Sequence, residues 1–281
     1  MRLDLQHDAS ELAMKRHSVR TYLPRMVEER ELAICMAPLT DETGIFGAKT
    51  RYAAVQVDQT PSKLGTYGMI RDAKTFLAAV VSKKELRAGY LQVGYQLEQT
   101  VLIAADNGMG TCWLGGTFDK TAFFQAAGVD EEEQLVIVLP IGYPSGKTRL
   151  LEHIVRGTAG SANRRPFEKL FFQAANGEPL SEKMADAFAL PLSCVRLAPS
   201  AINKQPWRVF VSPTAAYFYL DGGKEKPTIP DIRYVDLGIA MCHFEAGTIQ
   251  AGLQGGWVFE DPELSVPMAY EFIGAWKVNK N

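Results

Sequence analysis

Cysteine is scarce in this chain: four in 281 residues, at Cys35, Cys112, Cys194 and Cys242. They stand far apart in apolar surroundings, without the clusters or short spacings that a disulfide framework or a metal site needs. Reduced, mostly buried thiols in a cytoplasmic protein are expected instead, and no metal is implied. Long apolar runs are missing too. None approaches about 18 residues, so no membrane span is expected. The opening Met1-Arg2-Leu3-Asp4-Leu5-Gln6-His7-Asp8 is charged and lacks the apolar core of a signal peptide. Charge of one sign is lacking as well: the net charge is −2, with acids and bases interspersed. That argues against a nucleic-acid-binding surface. The hydrophobic fraction of 47% suits a soluble protein with a sizeable core, built as one large domain or two small ones.

What is present is an internal repeat. Tyr90-Leu91-Gln92-Val93-Gly94 is matched by Tyr234-Val235-Asp236-Leu237-Gly238 at a shift of 144 positions, and at the same shift Gly108 falls on Gly252 and Trp113 on Trp257. Both copies are apolar at helical spacing: Leu86, Tyr90, Val93, Leu97 and Val101 in the first, Tyr234, Leu237, Met241 and Phe244 in the second. Each reads as a long buried helix ended by a glycine able to turn left-handed. With smaller shifts, Ala37-Pro38 answers Ala198-Pro199, the strand Ala54–Val57 answers Arg208–Val211, and Pro140–Tyr143 answers Phe272–Ala275. Further strands are expected at Phe76–Val81, Leu135–Leu139 and Tyr217–Leu220. Each half then runs helix, strand, strand, long helix, strand. The fold class is α+β, with two related halves packed as an intramolecular pseudo-dimer around the long helices. The boundary is expected near 161–166, giving halves of 1–163 and 164–281.

Chemistry-bearing residues are distributed unequally between the halves. Lys15-Arg16-His17-Ser18-Val19-Arg20 gathers three cations, a hydroxyl and an imidazole, a set able to hold a phosphate through charge-assisted hydrogen bonds; read alone, it could equally be a solvated basic helix end. Arg164-Arg165-Pro166-Phe167-Glu168 is a second basic pair, or a linker. Gly108-Met109-Gly110-Thr111-Cys112-Trp113-Leu114-Gly115-Gly116 follows the first long helix, and its glycines would let backbone amides approach a planar ligand. The second copy keeps Trp257 but lacks the Gly115-Gly116 pair. The loop Ala198-Pro199-Ser200-Ala201-Ile202-Asn203-Lys204-Gln205-Pro206-Trp207 carries small polar groups into a strand. Its counterpart after Ala37-Pro38 lacks the Ser, the Asn and the Gln-Pro-Trp. Only one of two possible sites is equipped.

Taken together, Arg16-His17-Ser18-x-Arg20, Pro199-Ser200-x-x-Asn203-x-Gln205-Pro206-Trp207, Trp113-Leu114-Gly115-Gly116, Ile141-Gly142-Tyr143-Pro144 and Arg164-x-Pro166-x-Glu168 resemble the nitroreductase family of FMN enzymes over most of the chain. Family members are usually homodimers with two FMN sites at the interface. The resemblance implies that Arg16, His17, Ser18, Arg20 and Arg164 hold the phosphate and ribityl groups. It implies that Leu114, Gly115 and Gly116 line the ring near flavin N5, one of the glycines offering its amide there. Pro199, Ser200, Ala201, Ile202 and Asn203 would close the site from the second half. Arg71 would sit near the flavin pyrimidine, and Trp113, Arg165 and Gln205 complete the candidate cofactor-binding set. In the family all these motifs belong to one subunit's sequence order. Here the Pro-Ser-x-x-Asn loop lies in the second half, whose own entry, Ser181–Phe188, has no Arg-x-Ser cluster. The pattern is similar to the thermophile-type branch in which two subunits are fused, and one FMN per chain is expected.

The implied activity is that of an FMN-dependent NAD(P)H oxidoreductase, with NADH or NADPH as donor and a flat electrophile such as a nitroaromatic or quinone as acceptor. The alternative is a non-catalytic FMN carrier or sensor. A small-molecule substrate is the expected partner, and the fused dimer makes a monomer possible. Gly142-Tyr143-Pro144-Ser145-Gly146-Lys147-Thr148 nearly spells a phosphate loop but is one residue short between its glycines. His153 and His243 lack partners at ligand spacing and read as surface and core residues. Met36, Met69, Met109 and Met241 read as fillers of core gaps.

Overall fold

The stretch that gives the repeat its periodicity forms the spine of the molecule. In the computed structural model, which describes residues 3, 5–41, 43–57, 65–146, 163–223 and 230–279, the first half opens with α1 (Ala9–Lys15) and α2 (Glu29–Met36). Strands β1 (Thr50–Gln56) and β2 (Thr75–Ser82) precede the long helix α3 (Leu86–Asp106), followed by β3 (Gly110–Thr111), α4 (Lys120–Ala126) and β4 (Glu133–Gly142). The second half contains β5 (Phe171–Gln173), α5 (Ala189–Leu197), β6 (Trp207–Ser212), β7 (Ala215–Asp221), the long helix α6 (Arg233–Gln250), β8 (Gly255–Val258) and β9 (Tyr270–Val278). His153 and Lys147-Thr148 of the near phosphate loop lie outside the described residues, as does part of the expected boundary. No helix among the described residues is long and apolar enough to cross a membrane.

Two sheets repeat one topology. The first is ordered β1-β2-β4-β3 and the second β5-β6-β7-β9-β8, so β1, β2, β4 and β3 correspond to β6, β7, β9 and β8. The resemblance extends to detail: β2 slips register against β4 between Ala79 and Val80, and β7 slips against β9 between Phe218 and Tyr219. The extra strand β5 pairs in parallel with β6 at the sheet edge, which the sequence reading did not anticipate. Three residues are too few to show a period.

β2 is apolar without alternation, Phe76-Leu77-Ala78-Ala79-Val80-Val81, because both its faces are covered. Leu77, Ala79 and Val81 join the main core beneath α3, while Phe76 and Ala78 pack with Phe118, Phe123 and Val138 in a smaller cluster.

The long helices end alike. Gly108 and Gly252 take φ of +72° and +70°. Met109 N–H donates to Ala104 (2.8 Å) and Leu253 N–H to Thr248 (3.0 Å), with Gly108 and Gly252 closing onto Ala105 and Ile249. This is the same glycine-terminated helix end twice, 144 positions apart. The helices cross at Gly94 and Gly238. A Cβ at Gly94 would overlap the Val235 carbonyl, and one at Gly238 would overlap the Leu91 carbonyl and lie 3.0 Å from the Gly94 Cα. Only glycine permits this approach, and the shared core runs continuously across it.

All four cysteines are buried, and none forms a disulfide among the described residues. Burial pushes the Cys35 and Cys194 thiols up to about 12, leaving them unreactive.

Candidate functional site

α1 ends as Arg16 leaves the helix in an extended conformation (φ −62°, ψ 128°). The basic strip then runs beside β3: Ser18 bridges Thr111, and Val19 N–H donates to the Thr111 carbonyl at 2.9 Å. Gly110 makes this contact possible, since a Cβ there would overlap the Val19 side chain. Extended backbone alternates its side chains. Val19 is buried in the small cluster while Arg16, Ser18 and Arg20 line a cavity of about 370 Å³, with His17 at the same wall.

The opposite wall follows β3. Leu114 forms a bridge with Val138, and Trp113, Leu114, Gly115 and Gly116 line the cavity. Nothing lies within 4 Å of where a Gly116 Cβ would stand, while one at Gly115 would come within 3.3 Å of Ile232. This strip therefore presents backbone without side chains.

The second half closes the space. α5 ends at Leu197, and the chain turns through Pro199–Asn203, all five residues lining the cavity. Ile202, Asn203 and Gln205 take φ of +45°, +56° and +50°. For a β-branched residue such as Ile202 that region is sterically unfavourable, and such strain persists only where surrounding bonds impose it. Here Gln205 imposes it. Its N–H donates to Ser200 Oγ (2.9 Å), its Oε1 accepts from Arg165 N–H (2.9 Å), and its Nε2 donates to the Asn203 carbonyl (3.1 Å). Ile202 is left 72% exposed at the cavity edge.

Arg164 ties this loop to the basic end, donating to Asn203 Oδ1 (2.9 Å) and to the Leu197 carbonyl (3.0 Å). Burial, with the nearby Arg16 and Arg196 charges, lowers its pKa to about 10. Arg16 is also lowered by burial, against the opposing pull of Glu98. Its Nε makes no hydrogen bond among the described residues and stands 3.7 Å from Glu98 Oε1. Glu98 is fully buried, lies 2.8 Å from His243 Nε2, and accepts from Trp113 Nε1 at 3.0 Å. One carboxylate on α3 thus braces two cavity residues against α6. His243 is a core residue as expected, with a partner that its sequence neighbours did not disclose.

Most of the candidate set meets at this cavity: Arg16, His17, Ser18, Arg20, Trp113, Leu114, Gly115, Gly116, Arg164 and Pro199 to Asn203. Three residues stand apart. Gln205 is buried behind the loop, and Arg165 contributes backbone to it while its own side chain is exposed. Arg71 does not line the cavity: its backbone pairs with Arg20 and Tyr22, and its side chain, 63% exposed, pairs with Asp72. Met69, expected in a core gap, is part of the wall. The sequence reading missed one face of α6, where Ile232, Val235, Asp236 and Ile239 line the cavity at i, i+3, i+4 and i+7. The signal was available in Asp236, an acid on an otherwise apolar helix face.

At the pseudo-symmetric position the space is filled. Phe259, 144 residues after Gly115, sets its ring 5.3 Å from that of Phe46. Phe46 also packs edge-on against Tyr95, the counterpart of Ile239, at 6.2 Å, and its N–H donates to Gln92, the counterpart of Asp236, at 3.0 Å.

Comparison with known proteins follows the same lines. Among solved structures, a Thermotoga maritima protein described as a "putative nitroreductase" aligns with a TM-score of 0.60 at 19% identity, over 100% of this chain and 98% of that one. An FMN-dependent nitroreductase from Clostridium difficile (TM-score 0.41, 19% identity) aligns over 49% of this chain and 88% of its own. A Desulfovibrio desulfuricans nitroreductase-type protein in complex with FMN (0.42, 16%) aligns over 53% of this chain and 95% of its own. No curated protein matches the chain. The family model "Putative TM nitroreductase" matches residues 8–248, and the chain belongs to that nitroreductase family.

Proposed function

We propose that the chain is an FMN-dependent NAD(P)H oxidoreductase that reduces a flat electrophilic acceptor, such as a nitroaromatic or a quinone, in this one cavity. The observation that carries the reading is the charge arrangement. Arg16, Arg20 and Arg164 line one end of the cavity, while its other walls combine glycine backbone and apolar side chains with a few uncharged polar groups and the single carboxyl of Asp236. Burial and mutual repulsion lower Arg164, so the cluster favours a bound anion, and arginine forks suit a phosphate. The residues present fit FMN on that count and on the Gly115-Gly116 cradle, which leaves room for a planar ring.

When bound, FMN would supply the two-electron chemistry between nicotinamide and acceptor. The chain's own work is positional. Arg16, Arg20 and Arg164 with Ser18 would hold the phosphate, Leu114 to Gly116 would orient the ring by backbone, and Pro199 to Asn203 would restrict water from the second half. Glu98 keeps Arg16 and Trp113 in place. Preorganisation of this kind can stand where no acid–base pair is needed. A single FMN per chain is supported by the Phe46–Phe259 filling of the other position. Buried thiols fit a cytoplasmic setting, and the fused halves would let the chain act as a monomer.

The test is a visible spectrum of the purified protein, followed by anaerobic addition of NADH or NADPH. Bleaching of a bound flavin supports the reading. A yellow protein that neither nicotinamide reduces would point to a carrier or sensor. A protein that cannot be reconstituted with FMN would overturn both.

A further inference from the structure

Asp236 is the one acid among the described residues that line the cavity. It stands on α6 among Ile232, Val235 and Ile239, and is 2% exposed. One carboxyl oxygen is committed: Oδ1 accepts from Ala201 N–H at 2.9 Å and so holds the strained loop. Oδ2 has no hydrogen-bond partner among the described residues. Holding the loop does not require an acid. At the equivalent place in the first half Gln92, a neutral amide, accepts from Phe46 N–H in the same way. Gln92 Nε2 is likewise without a hydrogen-bond partner among the described residues, but Gln92 is packed away from the cavity, whereas Asp236 lines it.

Its charge state limits what it can do. Burial dominates and raises the acid to about 8. Among neighbouring charges, Asp231 pushes further in that direction, while Lys204, Arg233 and the Ala201 amide oppose it. Arg16, Arg20 and Arg164 lie at the cavity's basic end, Arg16 3.7 Å from Glu98 and Arg164 donating to Asn203. At neutral pH the carboxyl is mostly protonated. A buried protonated carboxyl is a hydrogen-bond donor, and here it borders a space flanked by bare glycine backbone.

We infer that Asp236 is a ligand-binding residue whose Oδ2–H donates to a carbonyl oxygen or ring nitrogen of the flavin ring held in this cavity. This deepens the flavin reading of the site and rests on it. No such role is available in the first half, where Gln92 replaces the acid and Phe46 the ligand.

The experiment titrates apoprotein with riboflavin, which has the ring without the phosphate, and with inorganic phosphate, which has no ring. Wild type, Asp236→Asn and Asp236→Leu are compared from about pH 7 to about pH 9. The window lies below Arg164 at about 10, and because inorganic phosphate itself changes charge within it, phosphate binding is compared between variants at each pH. Riboflavin affinity of the wild type should fall about tenfold across it, following the protonated fraction of an acid titrating near about 8. Asp236→Asn keeps an acceptor for Ala201 and a donor for the ring, so it should bind like the wild type at low pH and show no such fall. Asp236→Leu should bind about tenfold more weakly than wild type at about pH 7, as expected for loss of one buried hydrogen bond, and show no such fall. Phosphate affinity should be the same in wild type and Asp236→Asn at every pH. Thermal melts of each variant show whether it is folded, and Asp236→Asn carries the test if Asp236→Leu is not. Equal pH slopes in wild type and Asp236→Asn would overturn the inference, as would a folded Asp236→Leu that binds as tightly as wild type at about pH 7, while tight flavin binding left the cofactor reading standing. Failure of wild type to bind FMN or riboflavin at any pH would overturn both.

Discussion

The rings of Phe46 and Phe259 stand 5.3 Å apart where symmetry would otherwise repeat the cavity. Phe259 occupies the place of Gly115, and Phe46 leans on the counterparts of Asp236 and Ile239. The contact fills with apolar side chains the place at which the cavity would otherwise repeat. Truncating the ring in Phe259→Ala should destabilise the protein by roughly 1–3 kcal/mol, measurable by urea unfolding. It should not raise flavin stoichiometry, because the segment entering the second half, Ser181 to Phe188, supplies no arginine.

The crossing of α3 and α6 should tolerate no side chain at its centre. Gly94→Ala or Gly238→Ala would drive a methyl into the other helix's backbone. Each should cost roughly 1–3 kcal/mol or more and lower Tm by roughly 5–10 °C. The two glycines touch, so the double variant should lose less than the sum, since one substitution already separates the helices. Calorimetry of the three variants checks both points.

Arg164 and Asn203 should act on flavin as a pair. Arg164→Ala removes a cavity-lining cation and the anchor of the loop, and on the proposed phosphate role should weaken FMN about 10- to 100-fold, the scale of one charged hydrogen bond. Asn203→Ala should weaken FMN about 3- to 10-fold, although Asn203 lies in the half without the phosphate cluster. Fluorescence titration of FMN measures both. Additive losses in the double variant would contradict the coupling implied by their 2.9 Å bond.

Asp236 makes a separate prediction about stability. An unfolded aspartate titrates near about 3.9, and the folded one is raised to about 8. The native state therefore holds a proton that the unfolded state has released. That contribution is fully present below about pH 4 and is lost as pH rises towards about 8. Relative to the wild type, apo Asp236→Asn should gain stability across this window, on the order of a few kcal/mol by its upper end. Urea unfolding at both ends of the window measures the difference, and a constant difference would contradict the raised acid.

The repeat and its consequences were largely legible in sequence because they rest on position. Matching glycines, matching tryptophans and a common apolar period at one shift led to the paired sheets, the glycine-ended helices and the shared cavity. What was hidden depends on tertiary neighbours. Asp236 read as one polar residue in a helix until α6 turned it toward the cavity. Glu98 and His243 lie 145 positions apart and meet only across the helix crossing. Arg71 was placed at the ring by resemblance, but its loop pairs with Arg20 and Tyr22 and turns the guanidinium outward. Met69 had no pattern to distinguish a wall from a core.

The central claim is one flavin site shared between two unequal halves. Titrating apoprotein with FMN and counting equivalents at saturation tests it most directly. The account predicts one FMN per chain, with a sharp end point and a visible spectrum that NADH or NADPH bleaches. Two FMN per chain, or none, would contradict it.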